Sequence, residues 1–315
     1  MVQKNCVNLD NYPKSYKKKL LIICGPTATS KTALAIECAK LLNSEVISAD
    51  SMYIYKGLDI GTAKPTKIEM QNIPHHLIDV VNPTDTFTVS DYKSLAKPII
   101  DNLHNKGKVP IVCGGTGFYI NSLLYNLSYG NGEGNLEVRE KYKKLAEEFG
   151  NRYVYDILCE KDIASAEKLH FNDLKRVIRA LEIFESGVKK SDILDDLTPN
   201  YNFKAYSFDF SREEMYARIN SRVDIMLNSG LIEEVRGLIS QGITLENQCM
   251  HAIGYKEVYS YLMGEISYDE MVDLIKLNTR HYAKRQLTFF KKLDNLQKIP
   301  FDDIKLVAKR IIENL

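Results

Sequence analysis

A continuous apolar run, Leu20-Leu-Ile-Ile-Cys24, stops at Gly25-Pro-Thr-Ala-Thr-Ser-Lys31-Thr32, and a helix-compatible stretch from about Lys31 to Leu42 follows. Strand, glycine-led turn and helix in immediate succession leave few folds open. The run reads as a strand buried on both faces of a parallel sheet. The turn reads as a loop whose backbone N–H groups and helix N-terminus face a phosphate. Gly25, Pro26, Thr27, Ala28, Thr29, Ser30, Lys31 and Thr32 are therefore candidate diphosphate ligands. Lys31 is placed to reach the outer phosphate, and the Thr32 hydroxyl to serve Mg2+ or a phosphate oxygen. The second glycine usual in such loops, just before the lysine, is Ser30 here.

The alternation continues downstream. Glu45-Val-Ile-Ser48 reads as the next strand and His76 to Val81 as another short apolar run. Ser90 to Asn105 reads as a helix opened by the capping pair Thr88 and Asp91 and ended by Gly107. Val109 to Cys113 is a further buried strand leading into Gly114-Gly115-Thr116-Gly117, a turn where the backbone can approach a ligand closely. Strands alternating with helices predict an α/β fold with a parallel sheet. From about residue 125 to 200 the strand signals vanish, predicting an all-helical insertion broken by Gly150, Gly187 and Pro199. Phe203 to Phe210 returns the chain to the sheet, and the remainder reads as helical, with capping pairs Ser211/Glu214 and Ser267/Glu270. The expected organisation is a flexible tail at 1–16, an α/β core at 17–124 and 201–315, and the helical insertion at 125–200.

Length and composition act mainly by exclusion. The 315 residues suffice for one large domain with an insertion, or for two domains. A net charge of +1 carries no global mark of a nucleic-acid partner. Such a partner must be argued from local stripes: Lys175, Arg176 and Arg179 on one helix face, and Lys276, Arg280 and Lys284 at four-residue steps on another. The six cysteines form no C-x-x-C pair and read as reduced thiols of a cytosolic protein. The Leu20 run is shorter than the ~7–15 apolar residues of a secretory signal, and no segment reaches the ~18 of a membrane span. His75 and His76 lack further ligands at metal-site spacing. The guanine-reading N-K-x-D pattern of GTPases is absent. A small-molecule kinase stays open, with Asp79 as its metal-binding candidate.

Ser48-Ala-Asp-Ser-Met-Tyr-Ile-Tyr-Lys-Gly-Leu-Asp-Ile-Gly-Thr-Ala-Lys-Pro65 resembles a block of the tRNA dimethylallyltransferase family. Further blocks follow in family order: Pro74-His-His-Leu-Ile-Asp79, Gly114-Gly-Thr-Gly-Phe-Tyr119, Asn172-Asp-Leu-Lys-Arg-Val-Ile-Arg-Ala-Leu-Glu182, Gly230-Leu-Ile-Glu-Glu-Val235, Ile253-Gly-Tyr-Lys-Glu257 and Ala283-Lys-Arg-Gln286. The resemblance spans nearly everything from Leu20 to Lys291. It implies a P-loop NTPase-like parallel-sheet core, a helical insertion that grips the anticodon stem-loop, and a channel where two substrates meet. The implied reaction moves a dimethylallyl group from dimethylallyl diphosphate, with Mg2+ and without ATP, to the exocyclic amine of the adenosine 3′ of the anticodon in tRNA. A cytoplasmic monomer is expected. Three residues depart from the family pattern: Ser30 stands for the usual glycine, Tyr53 for a frequent glutamine and Phe289 for a frequent tryptophan.

The resemblance also implies roles. Asp50 is the base that takes the amine proton, with Thr27, Lys31 and Arg222 as the other catalytic groups. Arg218 and Arg222, four apart on one helix face, join the loop in holding the diphosphate. Implied tRNA contacts are Asp50, Ser51, Met52, Tyr53, Thr116, Arg139, Lys175, Arg176, Val177, Ile178, Arg179, Arg280, Lys284 and Arg285. Tyr53, Phe118 and Tyr119 are candidates for stacking on bases, with core packing as the alternative. An adenylate isopentenyltransferase acting on free nucleotides and a non-catalytic RNA-binding module stay open.

Overall fold

The computed structural model describes residues 18–127 and 134–315; the tail expected at 1–16 lies outside them. The chain forms two compact units, one made by the chain up to Leu124 together with Pro199–Leu315, the other by Tyr125–Thr198. The helices, in chain order, are α1 (Lys31–Leu42), α2 (Val89–Asn105), α3 (Gly117–Leu124), α4 (Leu136–Phe149), α5 (Asn151–Lys161), α6 (Ile163–Ala166), α7 (Leu174–Glu185), α8 (Arg212–Asn228), α9 (Leu231–Ser240), α10 (Tyr255–Leu262), α11 (Tyr268–Phe290) and α12 (Ile304–Glu313).

The first unit is built on one sheet. Its strands are β1 (Lys19–Cys24), β2 (Val46–Ser48), β3 (His75–His76), β4 (Ile111–Gly114), β5 (Asn202–Asp209) and β6 (Leu296–Pro300), in the order β3-β2-β4-β1-β5-β6 with all neighbours parallel. β1 is central: Leu21 registers with Ile111 of β4 on one side and with Lys204 of β5 on the other. A strand so placed has no solvent-facing side, which is why its sequence is apolar throughout rather than alternating. Leu21 and Ile23 pack with Leu34, Ala35 and Cys38 of α1 and with Val307, Ala308 and Ile311 of α12, and Leu20 and Ile22 on the alternate face are equally buried. Helix starts follow the capping pairs: Thr88/Asp91, Ser211/Glu214 and Ser267/Glu270 each close a reciprocal capping box.

Two sequence expectations are corrected. The apolar run from His76 to Val81 contributes only its first residue to β3, because Leu77 (φ 62°) and Asp79 (φ 56°) turn left-handed. Asp79 N then donates to the Tyr53 carbonyl and Val80 N to the Ile54 carbonyl, so this segment binds the loop after β2 instead of extending the sheet. The region after β5 is not all helix either, since β6 pairs with β5 at the sheet edge. In the second unit, α4, α5 and α7 enclose a core of Tyr142, Val154, Leu158, Val177 and Leu181.

Candidate active site

Four strand ends build the site in the first unit. β1 delivers the Gly25–Thr32 loop, β2 the turn at Asp50, β4 the turn at Thr116, and β5 leads into α8 with Arg218 and Arg222. In a parallel sheet every carboxyl end opens on the same edge, so residues distant in sequence meet there.

The loop is tightly wound. Gly25 has φ +129°, and a Cβ there would stand 2.4 Å from the Ser207 hydroxyl, so the position admits no side chain. Ala28 (φ 62°) and Ser30 (φ 58°) are left-handed, a conformation that costs a non-glycine residue about 1–2 kcal/mol. Arg218 grips both: Nη2 donates to Ser30 Oγ at 2.8 Å and Nε to the Ala28 carbonyl at 3.0 Å. Its guanidinium also lies over the rings of Phe210 and Phe301, at 4.7 and 4.9 Å. Arg222 Nη1 donates to the Thr27 hydroxyl at 3.1 Å. The Thr29 hydroxyl donates to the Pro26 carbonyl at 2.8 Å, and the Lys31 ammonium folds back onto the same carbonyl, from which it must swing to meet a phosphate. Ser30→Ala keeps the backbone strain and deletes the Arg218 bond. Its pyrophosphate affinity, measured by calorimetry, is expected to fall about tenfold, the equivalent of ~1.4 kcal/mol.

Asp50 is held by its neighbours. Its Oδ1 accepts from Met52 N at 3.0 Å, closing an Asx-type turn. Thr116 N donates to the Ala49 carbonyl at 3.0 Å, and Ser51 N donates to the Thr116 hydroxyl at 3.0 Å. The turn that residue type and position favour at Asp50 is therefore formed, and it fixes one oxygen of the carboxylate. The glycines of the Thr116 turn are needed by the protein's own packing. A Cβ on Gly114 would meet the Ala49 carbonyl oxygen at 2.2 Å, on Gly115 the Gln286 Nε2 at 2.2 Å, and on Gly117 the Phe289 ring at 2.2 Å.

Burial raises the Asp50 carboxyl above the usual carboxylate range, against the opposing pull of the Met52 N–H, Lys31 and Arg222. Burial pushes the Lys31 ammonium down to about 8, with Cys113 and Asp50 opposing and Arg222 reinforcing. Beside the loop opens a cleft of about 1210 Å³ that sets Arg218 and Arg222 against Ile60, Ala63, Ile225 and Met226.

Other candidates are distributed as follows. The Tyr53 hydroxyl donates to the Ala63 carbonyl at 2.8 Å, which tethers the ring. Tyr119 is buried and stacks on Tyr92 at 4.0 Å, so core packing wins there, whereas Phe118 is 58% exposed and meets Phe289 edge-on at 5.2 Å. On α11, Lys276 pairs with Asp224 at 2.6 Å and Arg280 donates to Asn220 at 2.9 Å, while Lys284 and Arg285 are exposed. Asp79 is engaged by the buried Lys64, which also binds Asp59 and the Tyr55 carbonyl. That ion cluster braces the loop after β2 and replaces the metal-site reading of Asp79. His75 and His76 bond the Ile73 carbonyl and Glu45.

Within the second unit, Arg139 and Arg179 both pair with Glu182, whose side chain is 4% exposed. Burial alone would raise the Glu182 carboxyl, but the hydrogen bonds from Arg179 and Arg139 outweigh it and hold it below its usual value. Arg176 pairs with Asp173, and Lys175 is exposed. Val177 and Ile178 lie in the unit's core, which corrects their reading as RNA contacts. Glu182→Ala, leaving two partly exposed arginines without their carboxylate, is expected to cost about 2–4 kcal/mol in urea unfolding.

Gln286 escaped the sequence reading although it stands in the Ala283-Lys-Arg-Gln286 block. Nothing local marks it, for its partners lie 259 and 171 residues away.

The IPP transferase family profile matches residues 53–293. A relative from Caldanaerobacter subterraneus named tRNA dimethylallyltransferase is 48% identical over 299 residues, covering 91% of this chain and 93% of its own. A solved tRNA isopentenylpyrophosphate transferase from Bacillus halodurans superposes with a TM-score of 0.71 at 39% identity, covering 94% of this chain and 96% of its own. A eukaryotic dimethylallyltransferase crystallised acting on tRNA superposes with a TM-score of 0.78 at 28% identity, covering 94% and 78%. By the profile match and the near-full-length identity, this chain belongs to the IPP transferase family.

Proposed function

We propose that the chain is a tRNA dimethylallyltransferase. The Gly25–Thr32 loop binds dimethylallyl diphosphate, and the allylic group passes to the exocyclic amine of the adenosine 3′ of the anticodon. The observation that carries this reading is geometric: one carboxyl-end edge of the parallel sheet bears both the Gly25–Thr32 loop, with Arg222 bonded to Thr27, and the turn that fixes the Asp50 carboxylate. A base stands beside the place where a leaving group is held.

The exocyclic amine is a weak nucleophile, so ionisation of the allylic carbon–oxygen bond and in-line positioning dominate. As the nitrogen–carbon bond forms and the carbon–oxygen bond breaks, charge moves onto the departing pyrophosphate, where Lys31, Arg222 and the Thr27 hydroxyl stand. The amine proton passes to Asp50. The apolar wall of the adjacent cleft suits a short hydrocarbon tail next to cationic groups. The loop residue that would hold Mg2+ is Thr32, which lines the cleft beside the loop. Among the described residues no three His, Cys, Asp or Glu side chains gather as a metal cage, which fits a Mg2+ carried mostly by substrate oxygens and water. When bound, it supplies positive charge to the pyrophosphate.

Lys175, Lys284 and Arg285, exposed and cationic, suit the phosphates of an anticodon stem-loop. The diphosphate loop and Asp50 come from one chain, which supports a working monomer. The five described cysteines are free, supporting a reducing compartment such as the cytoplasm. Among the described residues no helix is long and apolar enough to cross a membrane.

A base must be deprotonated and a phosphate-binding lysine protonated. kcat/KM for the diphosphate, which reports groups of the free enzyme, is therefore expected to rise with pH through the raised Asp50 pKa. It falls again above about 8 as Lys31 loses its proton. Initial rates of Lys31→Arg, whose guanidinium stays charged, are expected to lack the alkaline fall.

The function is tested by incubating the protein with labelled dimethylallyl diphosphate and Mg2+, without ATP, and with either unmodified tRNA or AMP as acceptor. Label in tRNA supports the proposal. Label in AMP alone moves the assignment to a nucleotide prenyltransferase, and ADP formed from added ATP moves it to a kinase.

A further inference from the structure

Gln286, on α11, is 5% exposed, and both ends of its amide are engaged. Oε1 accepts the Thr27 N–H at 2.9 Å, and Nε2 donates to the Gly115 carbonyl at 2.9 Å. The orientation is dictated by the partners: a backbone N–H can only donate and a carbonyl can only accept. Gly115 leaves the space for this contact, since a Cβ there would stand 2.2 Å from Nε2.

The bonds continue in both directions. Thr27 carries the hydroxyl that Arg222 holds, at the diphosphate end. Gly115 precedes Thr116, whose N–H and hydroxyl bind the Ala49 carbonyl and the Ser51 N–H, the two residues flanking Asp50. A single buried amide thus joins the phosphate-loop segment at Thr27 to the turn that flanks Asp50. It touches neither reacting atom.

We propose that Gln286 is a positioning residue that couples occupancy of the diphosphate loop to the setting of Asp50 and the RNA-facing turn at Thr116. The proposal rests on the prenyl-transfer reading of the site. A buried strut with both ends paired has one comfortable length. A shift of Thr27 on anion binding is therefore passed to Gly115 rather than absorbed, and a filled loop presents a differently set acceptor site.

The test uses the full chain and four readouts: kcat, the KM of each substrate, thermal unfolding, and the factor by which inorganic pyrophosphate changes the affinity for an anticodon stem-loop RNA. In the wild-type protein that factor is expected within about 5–150-fold, the usual range for coupled sites. Gln286→Met keeps the length and the packing but has no amide. Its coupling factor is expected to fall to about one and its kcat about 10²-fold, as for a misplacement of roughly 1 Å. Its pyrophosphate affinity measured alone is expected to stay near wild type, and its melting temperature to fall modestly, because two buried backbone groups lose their partner. Gln286→Glu keeps an acceptor for Thr27 but sets an oxygen against the Gly115 carbonyl, and is expected to lose coupling likewise. Gly115→Ala displaces the amide with Gln286 still present and gives an independent route to the same loss should Gln286→Met fold poorly. Wild-type coupling in these variants, or a rate loss explained wholly by weaker pyrophosphate binding, overturns the proposal. Failure of the prenyl-transfer reading appears separately, as absence of label transfer by the wild-type protein. The pyrophosphate–RNA coupling needs no turnover and tests Gln286 in either case.

Discussion

Asp50→Asn is expected to lower the turnover number about 10²–10⁴-fold while leaving the KM for dimethylallyl diphosphate at or below the wild-type value. Asparagine keeps the volume and the oxygen that accepts from Met52 N, so the turn survives. It cannot take the amine proton. It also removes a buried charge whose pKa burial has raised, so the melting temperature is expected to stay level or rise. Loss of rate without loss of stability separates a base from a merely structural aspartate, and steady-state kinetics beside thermal unfolding reads both. A turnover number near wild type would falsify the base assignment.

Lys31→Met is expected to lower kcat/KM for the diphosphate about 10²–10³-fold, as for a preorganised charge-stabilising group, with the affinity for tRNA retained. Its stability carries a second signature. The folded state holds Lys31 at about 8, against an ordinary value of 10.5, so between those values the unfolded chain binds the extra proton. Wild-type stability therefore rises with pH across that window. The methionine variant has no such group. It is expected to be more stable than wild type at neutral pH, with the gap closing as pH climbs from about 8 towards 10.5. Urea unfolding at two pH values checks the sign. The buried lysine is thus a site where binding chemistry opposes folding stability.

What was legible in the sequence was local or resemblance-borne. β1 shows itself because a strand parallel-paired on both sides must be apolar throughout, and the helix starts show themselves through reciprocal caps. Asp50 is different: residue type and position favour a turn, which it makes, and only the family block pointed to its chemistry. β6 was illegible because an edge strand is half exposed and owes its form to β5. Leu77 and Asp79 broke an apolar run because Lys64 and the loop after β2 claim the residues that follow β3. Within Lys175 to Arg179 the helical period alternates surface and core, so Val177 and Ile178 turn inward between the exposed Lys175 and Arg176 and the half-buried Arg179. Gln286 was invisible because its role exists only once α11, the phosphate loop and the glycine turn have been brought together.

The measurement that bears most directly on the proposed chemistry is nuclease digestion of tRNA after reaction, with mass spectrometry of the fragments to locate the transferred group. The dimethylallyl group is expected on the exocyclic amine of the adenosine 3′ of the anticodon with the wild-type protein, and is expected to be absent with Asp50→Asn. A prenyl group on another nucleotide, or equal modification by the variant, would contradict the roles assigned to the loop and to Asp50.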